Sequence, residues 1–162
     1  FLLGLACNRG HSHHLAAGQG ALAGRSQTFA DVVVEIGLPF QQPSTFPIPT
    51  QHAARAFLWL NDRNPSRAKA FGLAAYRAYF VHDVNISDLA AVLELAAKQG
   101  VDRDELAAVL TGTEIKARLA AEVELGLSRG VFGSPFVFVD GEAFWGADRL
   151  PQLERWLAEG GF

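Results

Sequence analysis

The sequence predicts an α/β domain that contains a large helical segment, over about residues 20–128. Two observations support this fold class. Most of that segment repeats apolar side chains at helical spacing, with capping residues between the repeats. Residues 137–145, by contrast, hold two strand-forming runs on either side of Asp140-Gly141. With 162 residues, 49% of them hydrophobic, the chain can build the core of one domain.

The first 50 residues predict short elements separated by connections. Phe1-Leu2-Leu3 is typical of the end of a strand, and residues 11–24, rich in Gly, His and Ser, predict a loop. Apolar residues between Phe29 and Ile36 fall at helical spacing, although the run Val32-Val33-Val34 leaves a strand as an alternative. Residues 39–49 hold four prolines and predict an extended connection.

Four helices are predicted to start at capping residues, and a fifth follows them. The expected starts are Thr50, Asn64 before Pro65, Ser87, and Asp102 with Glu105 as its capping-box partner. The apolar face expected on the second helix comprises Ala68, Gly72, Ala75, Tyr76 and Tyr79. The fifth helix repeats Ile115, Leu119, Val123 and Leu127, and Gly130 closes it.

The C-terminal part predicts a loop, a hairpin and a helix. Asp140-Gly141 suits a two-residue turn because both positions tolerate positive φ. Pro135 stands where a loop enters the first strand, and we expect its bond to Ser134 to be cis. The last helix is expected from about Arg149 to Leu157. Two strands alone are unstable in water, so partner strands are needed, and Phe1-Leu2-Leu3 is a candidate.

Composition argues against several classes of partner. The net charge is −3 and no run of Lys or Arg exists, so we expect neither nucleic acid nor a membrane surface as partner. No apolar run reaches the length of a membrane span. Cys7 is the only cysteine, which excludes an intrachain disulfide and fits a cytoplasmic location. Because Met is absent and the chain opens on Phe1, we expect methionines and an N-terminal segment to be missing from the printed sequence.

His11, His13 and His14 invite the hypothesis of a metal site. No cysteine or carboxylate stands near them, and their spacing matches no standard site, so we predict a polar loop and no metal. A histidine of this loop that acts as an acid or base near neutral pH stays open as an alternative.

The segment from Gly130 to Leu150 resembles the C-terminal signature of the DsbA-like thioredoxin superfamily. Within it, the string is similar to the branch of 2-hydroxychromene-2-carboxylate isomerases and kappa-class glutathione transferases. Two further blocks are similar to that branch. One comprises residues 77–81 and 85–88, followed by Leu89, Val92 and Leu93, and the other comprises the Leu-Pro-Phe segment at 38–40 and the Phe-Pro-Ile-Pro-Thr segment at 46–50. The resemblance implies a single DsbA-like thioredoxin domain over 1–162. It would have a helical insertion at about 20–128, and a proline loop, hairpin and helix in 129–162. The family's first strand and helix would lie before Phe1.

The resemblance also implies a function. It implies a glutathione-dependent isomerase acting on 2-hydroxychromene-2-carboxylate-like aromatic hydroxy-acids in aromatic catabolism. The catalytic Ser or Cys of the family would lie before Phe1. Glutathione would pair its cysteinyl unit with Ser134 and Pro135, and set its γ-glutamyl carboxylate on the helix start at Ala147 and its ammonium on Asp148. The family typically has Ser-Asp there, so Ala147 lacks a hydroxyl.

Several alternatives stay open. Asp148 could simply cap the helix. Asn8 and Trp145 are candidate pocket residues, whereas Cys7 and Tyr76 are expected in the core. Rival functions are a kappa-class glutathione transferase, a DsbA-type thiol–disulfide oxidoreductase with Cys-x-x-Cys in the missing helix, and a non-catalytic member that binds a peptide or partner subunit. We further expect a homodimer.

Overall fold

A computed structural model of the chain describes residues 37–161. This part contains six α-helices, one 3-10 turn and two strands. In chain order they are α1 (Gln51–Arg63), α2 (Pro65–Phe80), α3 (Leu89–Ala97), α4 (Arg103–Thr111), α5 (Thr113–Ser128), β1 (Phe136–Val139), β2 (Glu142–Trp145), the 3-10 turn (Ala147–Arg149) and α6 (Leu150–Glu159). The predictions for Phe1-Leu2-Leu3, Cys7, Asn8, the histidine loop and residues 29–36 lie outside the described residues.

The described residues fall into two compact units, 37–119 and 120–161. In the first unit, α1 and α2 pack against each other and against α3, and α4 also contacts α1 and α3. The largest side chains at the centre of this core are Phe71, Leu60, Leu106 and Leu110, all fully buried. None of the helices in residues 37–161 is long and apolar enough to cross a membrane.

The capping predictions are confirmed at two helices and corrected at a third. The Asn64 side chain accepts a hydrogen bond from the Arg67 N–H at 3.0 Å, and Asp102 accepts one from the Glu105 N–H at 2.8 Å. Ser87 was the wrong residue for α3, where Asp88 is the cap and accepts from the Ala90 N–H. The Ser87 hydroxyl is engaged elsewhere, since it donates to the Asn85 side chain at 2.7 Å.

Thr50 stands at the start of α1, but its side chain makes no capping hydrogen bond. The position of this helix start is therefore confirmed, whereas the predicted contribution of the threonine hydroxyl is not found.

Tyr76 is the one member of the predicted α2 face that does not reach the core. The other four are buried, while Tyr76 is 43% exposed and stacks on Phe80. Tyr76 follows Ala75 directly, and consecutive helical residues point about 100° apart, so Tyr76 leaves the buried stripe. Tyr79, one turn below Ala75, is buried, and its hydroxyl donates to the Thr45 carbonyl at 2.8 Å.

Residues 38–49 form the extended connection that their prolines predicted. Four hydrogen bonds hold it, two with the end of α2 and two with Asp83, just after this helix. The Tyr79 hydroxyl contacts the Thr45 carbonyl, the Gln41 N–H donates to the Phe80 carbonyl, and Ser44 donates both its N–H and its hydroxyl to Asp83.

In the second unit, β1 and β2 pair antiparallel, with Phe136 opposite Trp145 and Val139 opposite Glu142. The turn between them is the predicted one, because Asp140 and Gly141 both have positive φ, at 51° and 88°. Helix α6 packs on this hairpin, where the Trp156 ring meets Phe144 edge-on and its indole N–H donates to Asp140. This helix starts at Leu150, one residue later than predicted.

Candidate functional site

The loop before β1 presents Ser134 and Pro135 at the surface. The peptide bond between them is cis, as predicted, and both residues are exposed. In the described part of the chain, no hydrogen bond uses the backbone N–H or carbonyl of Ser134. As far as residues 37–161 are concerned, these two groups can pair with an extended ligand.

A single backbone hydrogen bond joins this loop to the far end of the hairpin. The Gly146 N–H donates to the Pro135 carbonyl at 3.0 Å, one step beyond the last strand pair, Phe136 with Trp145. Ser134-Pro135 and Ala147-Asp148 therefore lie at the same end of the hairpin, on either side of that bond. The sequence predicted these four residues as a set, and the register of the hairpin brings them together.

Aromatic side chains border the loop on one side. Phe132 is 62% exposed and Trp145 is 49% exposed, and their ring centroids are 4.7 Å apart in an edge contact. The Trp145 indole covers Gly133, at the position that a side chain there would take. Trp145, a candidate pocket residue on sequence grounds, is thus an exposed wall next to Ser134.

A cavity of about 400 Å³ lies beside Trp145. Residues from β2 and from the first turns after it line the cavity, among them Glu142, Trp145, Gly146, Asp148, Arg149 and Gln152. This volume falls in the usual range for small-molecule sites, roughly 300–1,000 Å³.

Asp148 is available to a ligand and is not a helix cap. Its side chain is 80% exposed, and neither the 3-10 turn nor α6 has a side-chain cap. One carboxylate oxygen lies over Gly146, where a Cβ would collide with it, and the other lies 3.8 Å from Arg149 Nε. The alternative that Asp148 only caps the helix is therefore wrong.

Arg149 and Gln152 are functional candidates that the sequence interpretation missed. Arg149 Nη1 donates to Gln152 Oε1 at 2.9 Å, and both side chains line the cavity. The available signal was their spacing of three residues at a helix start, which places two side chains on one face.

Metal-binding side chains do not converge anywhere within residues 37–161: no group of three His, Cys, Asp or Glu side chains could hold an ion there. The histidine loop and Asn8 lie outside this range.

Exposed polar groups stand around the proline loop, where the resemblance implies that glutathione would bind. Ser134 offers an unpaired backbone N–H and carbonyl, and Asp148 offers an exposed carboxylate for an ammonium. The family typically has Ser where this chain has Ala147. The contact that the serine hydroxyl would make is therefore missing here.

Comparison with known proteins assigns the class. The sequence profile described as "DSBA-like thioredoxin domain" matches residues 13–158, nearly the whole chain, so the chain belongs to that family. The predicted fold class, an α/β DsbA-like thioredoxin fold with a helical insertion, is thereby confirmed. Within the described residues, the strands of that fold are the two of the hairpin.

Two proteins that are similar to this chain carry the same name. The protein named 2-hydroxychromene-2-carboxylate isomerase from Sphingobium xenophagum is 30% identical over 120 residues, which are 74% of this chain. The chain spans 62% of that relative's length. A solved structure, of a selenomethionine 2-hydroxychromene-2-carboxylate isomerase, superposes with a TM-score of 0.74 at 22% identity. The superposition covers 97% of this chain and 74% of that one and agrees in fold.

Proposed function

We propose that the protein is a glutathione-dependent isomerase acting on 2-hydroxychromene-2-carboxylate or a closely related aromatic hydroxy-acid. The observation that supports the proposal is the hydrogen bond from Gly146 to Pro135, because it holds the two segments that we expect to bind glutathione at one end of the hairpin. The curated relative, an isomerase by name, supports the choice of reaction. Cytoplasmic catabolism of fused aromatic compounds is the setting that goes with this reaction.

Ser134 and Asp148 would bind and orient the tripeptide. The Ser134 backbone groups are exposed and unpaired among the described residues, so they can pair with the cysteinyl unit as the edge of a strand does. Asp148 would hold the ammonium of the γ-glutamyl unit. When bound, glutathione would supply a thiolate as nucleophile and leaving group, so the isomer would keep the substrate's composition.

Phe132 and Trp145 would hold the aromatic ring of the substrate. They are exposed, they contact each other, and Trp145 covers Gly133, next to the residue expected to face the cysteinyl unit. Aromatic walls with a few polar groups are typical of small-molecule sites. A substrate ring against this wall would lie close to the thiol of the bound peptide.

The test is an absorbance assay with the purified protein. We expect 2-hydroxychromene-2-carboxylate to convert to its ring-opened isomer in the presence of glutathione. Conversion should stop when S-methylglutathione, whose thiol is blocked, replaces it. Conversion at the same rate without glutathione would contradict the cofactor assignment.

The same preparations separate the rival functions. Conjugation of glutathione to an aryl halide without isomerisation would favour the transferase. Disulfide reduction without either activity would favour the oxidoreductase, although the printed chain has only one cysteine. Peptide binding without any turnover would favour a non-catalytic member.

A further inference from the structure

A second cavity, of about 410 Å³, lies within the first unit. The last turn of α1, the end of α4 and the first turns of α5 line it. Trp59, Val109 and Ile115 supply apolar surface, and charged side chains line the cavity as well. The volume falls in the usual range for small-molecule sites, roughly 300–1,000 Å³. The cavity is therefore large enough for a small organic ligand.

Trp59 brings an unused hydrogen-bond donor to this cavity. The residue is only 7% exposed, and in the part of the chain that the structure describes its indole Nε1 is buried without a hydrogen-bond partner. Buried N–H groups in proteins are nearly always paired with an acceptor. An acceptor oxygen of a ligand in the cavity would satisfy this indole N–H.

Arg63 brings a positive charge to the same cavity. Its guanidinium carbon lies 4.2 Å from the centroid of the Trp59 ring, and its Nη1 donates to the Trp59 carbonyl at 3.3 Å. Among residues 37–161, no carboxylate forms an ion pair with it. The two contacts hold the guanidinium against the indole and use only part of its N–H donors, so the others can pair with a ligand carboxylate.

The start of α5 adds backbone donors. Thr113 and Glu114, the first two residues of this helix, line the cavity. The first N–H groups of an α-helix have no acceptor within their own helix, and the helix dipole favours a negative group beside them. Together with the indole N–H and the Arg63 guanidinium, this helix start favours an anionic ligand.

The acidic side chains of the cavity limit the charge that such a ligand can carry. Asp62 is paired with Arg118, with 3.5 Å between Oδ1 and Nη2. Glu114 is exposed and has no ion pair with any described residue. A dianion such as a phosphate ester would be repelled by the Glu114 carboxylate more strongly than a monoanion would. The cavity therefore suits a single carboxylate on an apolar body, which the apolar walls can contact.

We propose that this cavity binds a small monocarboxylate with an apolar body, and that Arg63 and the Trp59 indole N–H bind its carboxylate. This inference goes beyond the proposed function and does not depend on it, because all the lining residues belong to residues 59–118. It gives the protein a second ligand site besides the one proposed at the hairpin.

A titration with phenylacetate tests the proposal on the purified protein. Nuclear magnetic resonance follows the indole N–H signals of the three tryptophans, Trp59, Trp145 and Trp156, and Trp59→Phe identifies the signal of Trp59. We expect millimolar phenylacetate to shift the Trp59 signal until it saturates. Phenylacetamide, which has the same shape without the charge, should bind much more weakly. Phenyl phosphate, a dianion at about pH 8, should also bind more weakly than phenylacetate.

Three variants assign the charges. Arg63→Gln should weaken phenylacetate binding about tenfold or more, because a charge-assisted hydrogen bond is lost. Arg67→Gln, which removes an exposed arginine of α2, is the matched control and should leave the affinity unchanged. Glu114→Gln should improve the binding of phenyl phosphate more than that of phenylacetate. Melting temperatures of the variants report whether each one is folded.

The inference is overturned if phenylacetate leaves the Trp59 signal in place, or if phenylacetamide binds as tightly as phenylacetate. It is also overturned if a folded Arg63→Gln variant retains the affinity of the parent protein. A shift of the Trp145 signal alone would place the acid in the cavity beside the hairpin and would refute a site at Trp59. Phenyl phosphate that binds more tightly than phenylacetate would contradict the preference for a single charge.

Discussion

The indole of Trp145 occupies the space that a side chain on Gly133 would need. A Cβ built on Gly133 would overlap the indole Nε1. Gly133 is not among the glycines with positive φ, so the Trp145 ring, rather than backbone conformation, is what requires glycine there. The Trp145 ring, at the end of β2, therefore packs on the Gly133 backbone, in the loop before β1 and next to Ser134.

We predict that Gly133→Ala destabilises the protein by about 1–3 kcal/mol, the usual range for overpacking. Urea unfolding followed by circular dichroism measures this change. Trp145→Leu removes the indole, so alanine should cost much less in the double variant Gly133→Ala/Trp145→Leu. If Gly133→Ala lowers the free energy of unfolding equally in the parent protein and in Trp145→Leu, the two residues are not coupled.

Asn64 and Thr50 provide a matched pair of cap positions. Asn64 caps α2 through its side chain, whereas Thr50 stands at the start of α1 without a side-chain cap. Asn64→Ala should lower the free energy of unfolding by about 1 kcal/mol, within the usual range for lost caps. Thr50→Ala should lower it by a few tenths at most. Equal losses, measured by urea unfolding, would contradict the difference in capping.

Asp83 should stabilise the extended connection through two separable properties. It accepts hydrogen bonds from the Ser44 N–H at 2.8 Å and the Ser44 hydroxyl at 3.1 Å, and its φ is 52°. We expect Asp83→Ala to cost about 1–2 kcal/mol, because both the acceptor and the tolerance of left-handed backbone are lost.

Two other substitutions at this position separate the contributions. Asp83→Asn keeps an acceptor and tolerates positive φ, so it should cost the least. Asp83→Gly keeps only the backbone tolerance and should lie between the two. Unfolding midpoints decide the order, and an asparagine variant as unstable as the alanine variant would refute it.

His52 should make stability depend on pH. Burial lowers the pKa of this imidazole, and the positive charges of Arg55 and Lys116 lower it further, while Asp88 opposes them. In the described part of the chain its Nδ1 is buried without a hydrogen-bond partner. Because the unfolded chain, with an imidazole pKa near 6.5, binds the proton more readily, the unfolded state gains protons first on acidification.

The stability contribution of neutral His52 is therefore complete above about pH 6.5 and declines as the pH falls from there toward the lower pKa of the folded state. Urea midpoints at about pH 7.5 and 5.5 should differ less in His52→Gln than in the parent protein. His82→Gln, a change at an exposed histidine, should retain the dependence of the parent. If His52→Gln loses stability on acidification as steeply as the parent, the assignment to His52 is wrong.

Local rules accounted for the elements themselves. Asp140-Gly141 predicted the turn because both residues tolerate positive φ, and Asn64 before Pro65 predicted a capped helix start. Such rules act within a few residues, so they fail where neighbouring side chains compete. The cap of α3 is such a case. The sequence predicted Ser87, but the Ser87 hydroxyl donates to the Asn85 side chain, and Asp88 caps the helix instead.

The sequence by itself determined the family, the helical and hairpin segments and the residues of the proline loop, because each depends on a contiguous string. Only the tertiary structure decided which distant groups meet. The Gly146–Pro135 hydrogen bond, the indole over Gly133 and the Arg149 guanidinium in the cavity follow from strand register and side-chain packing. Residues more than ten positions apart along the chain, such as Pro135 and Gly146, become neighbours through that register, and no local propensity encodes it.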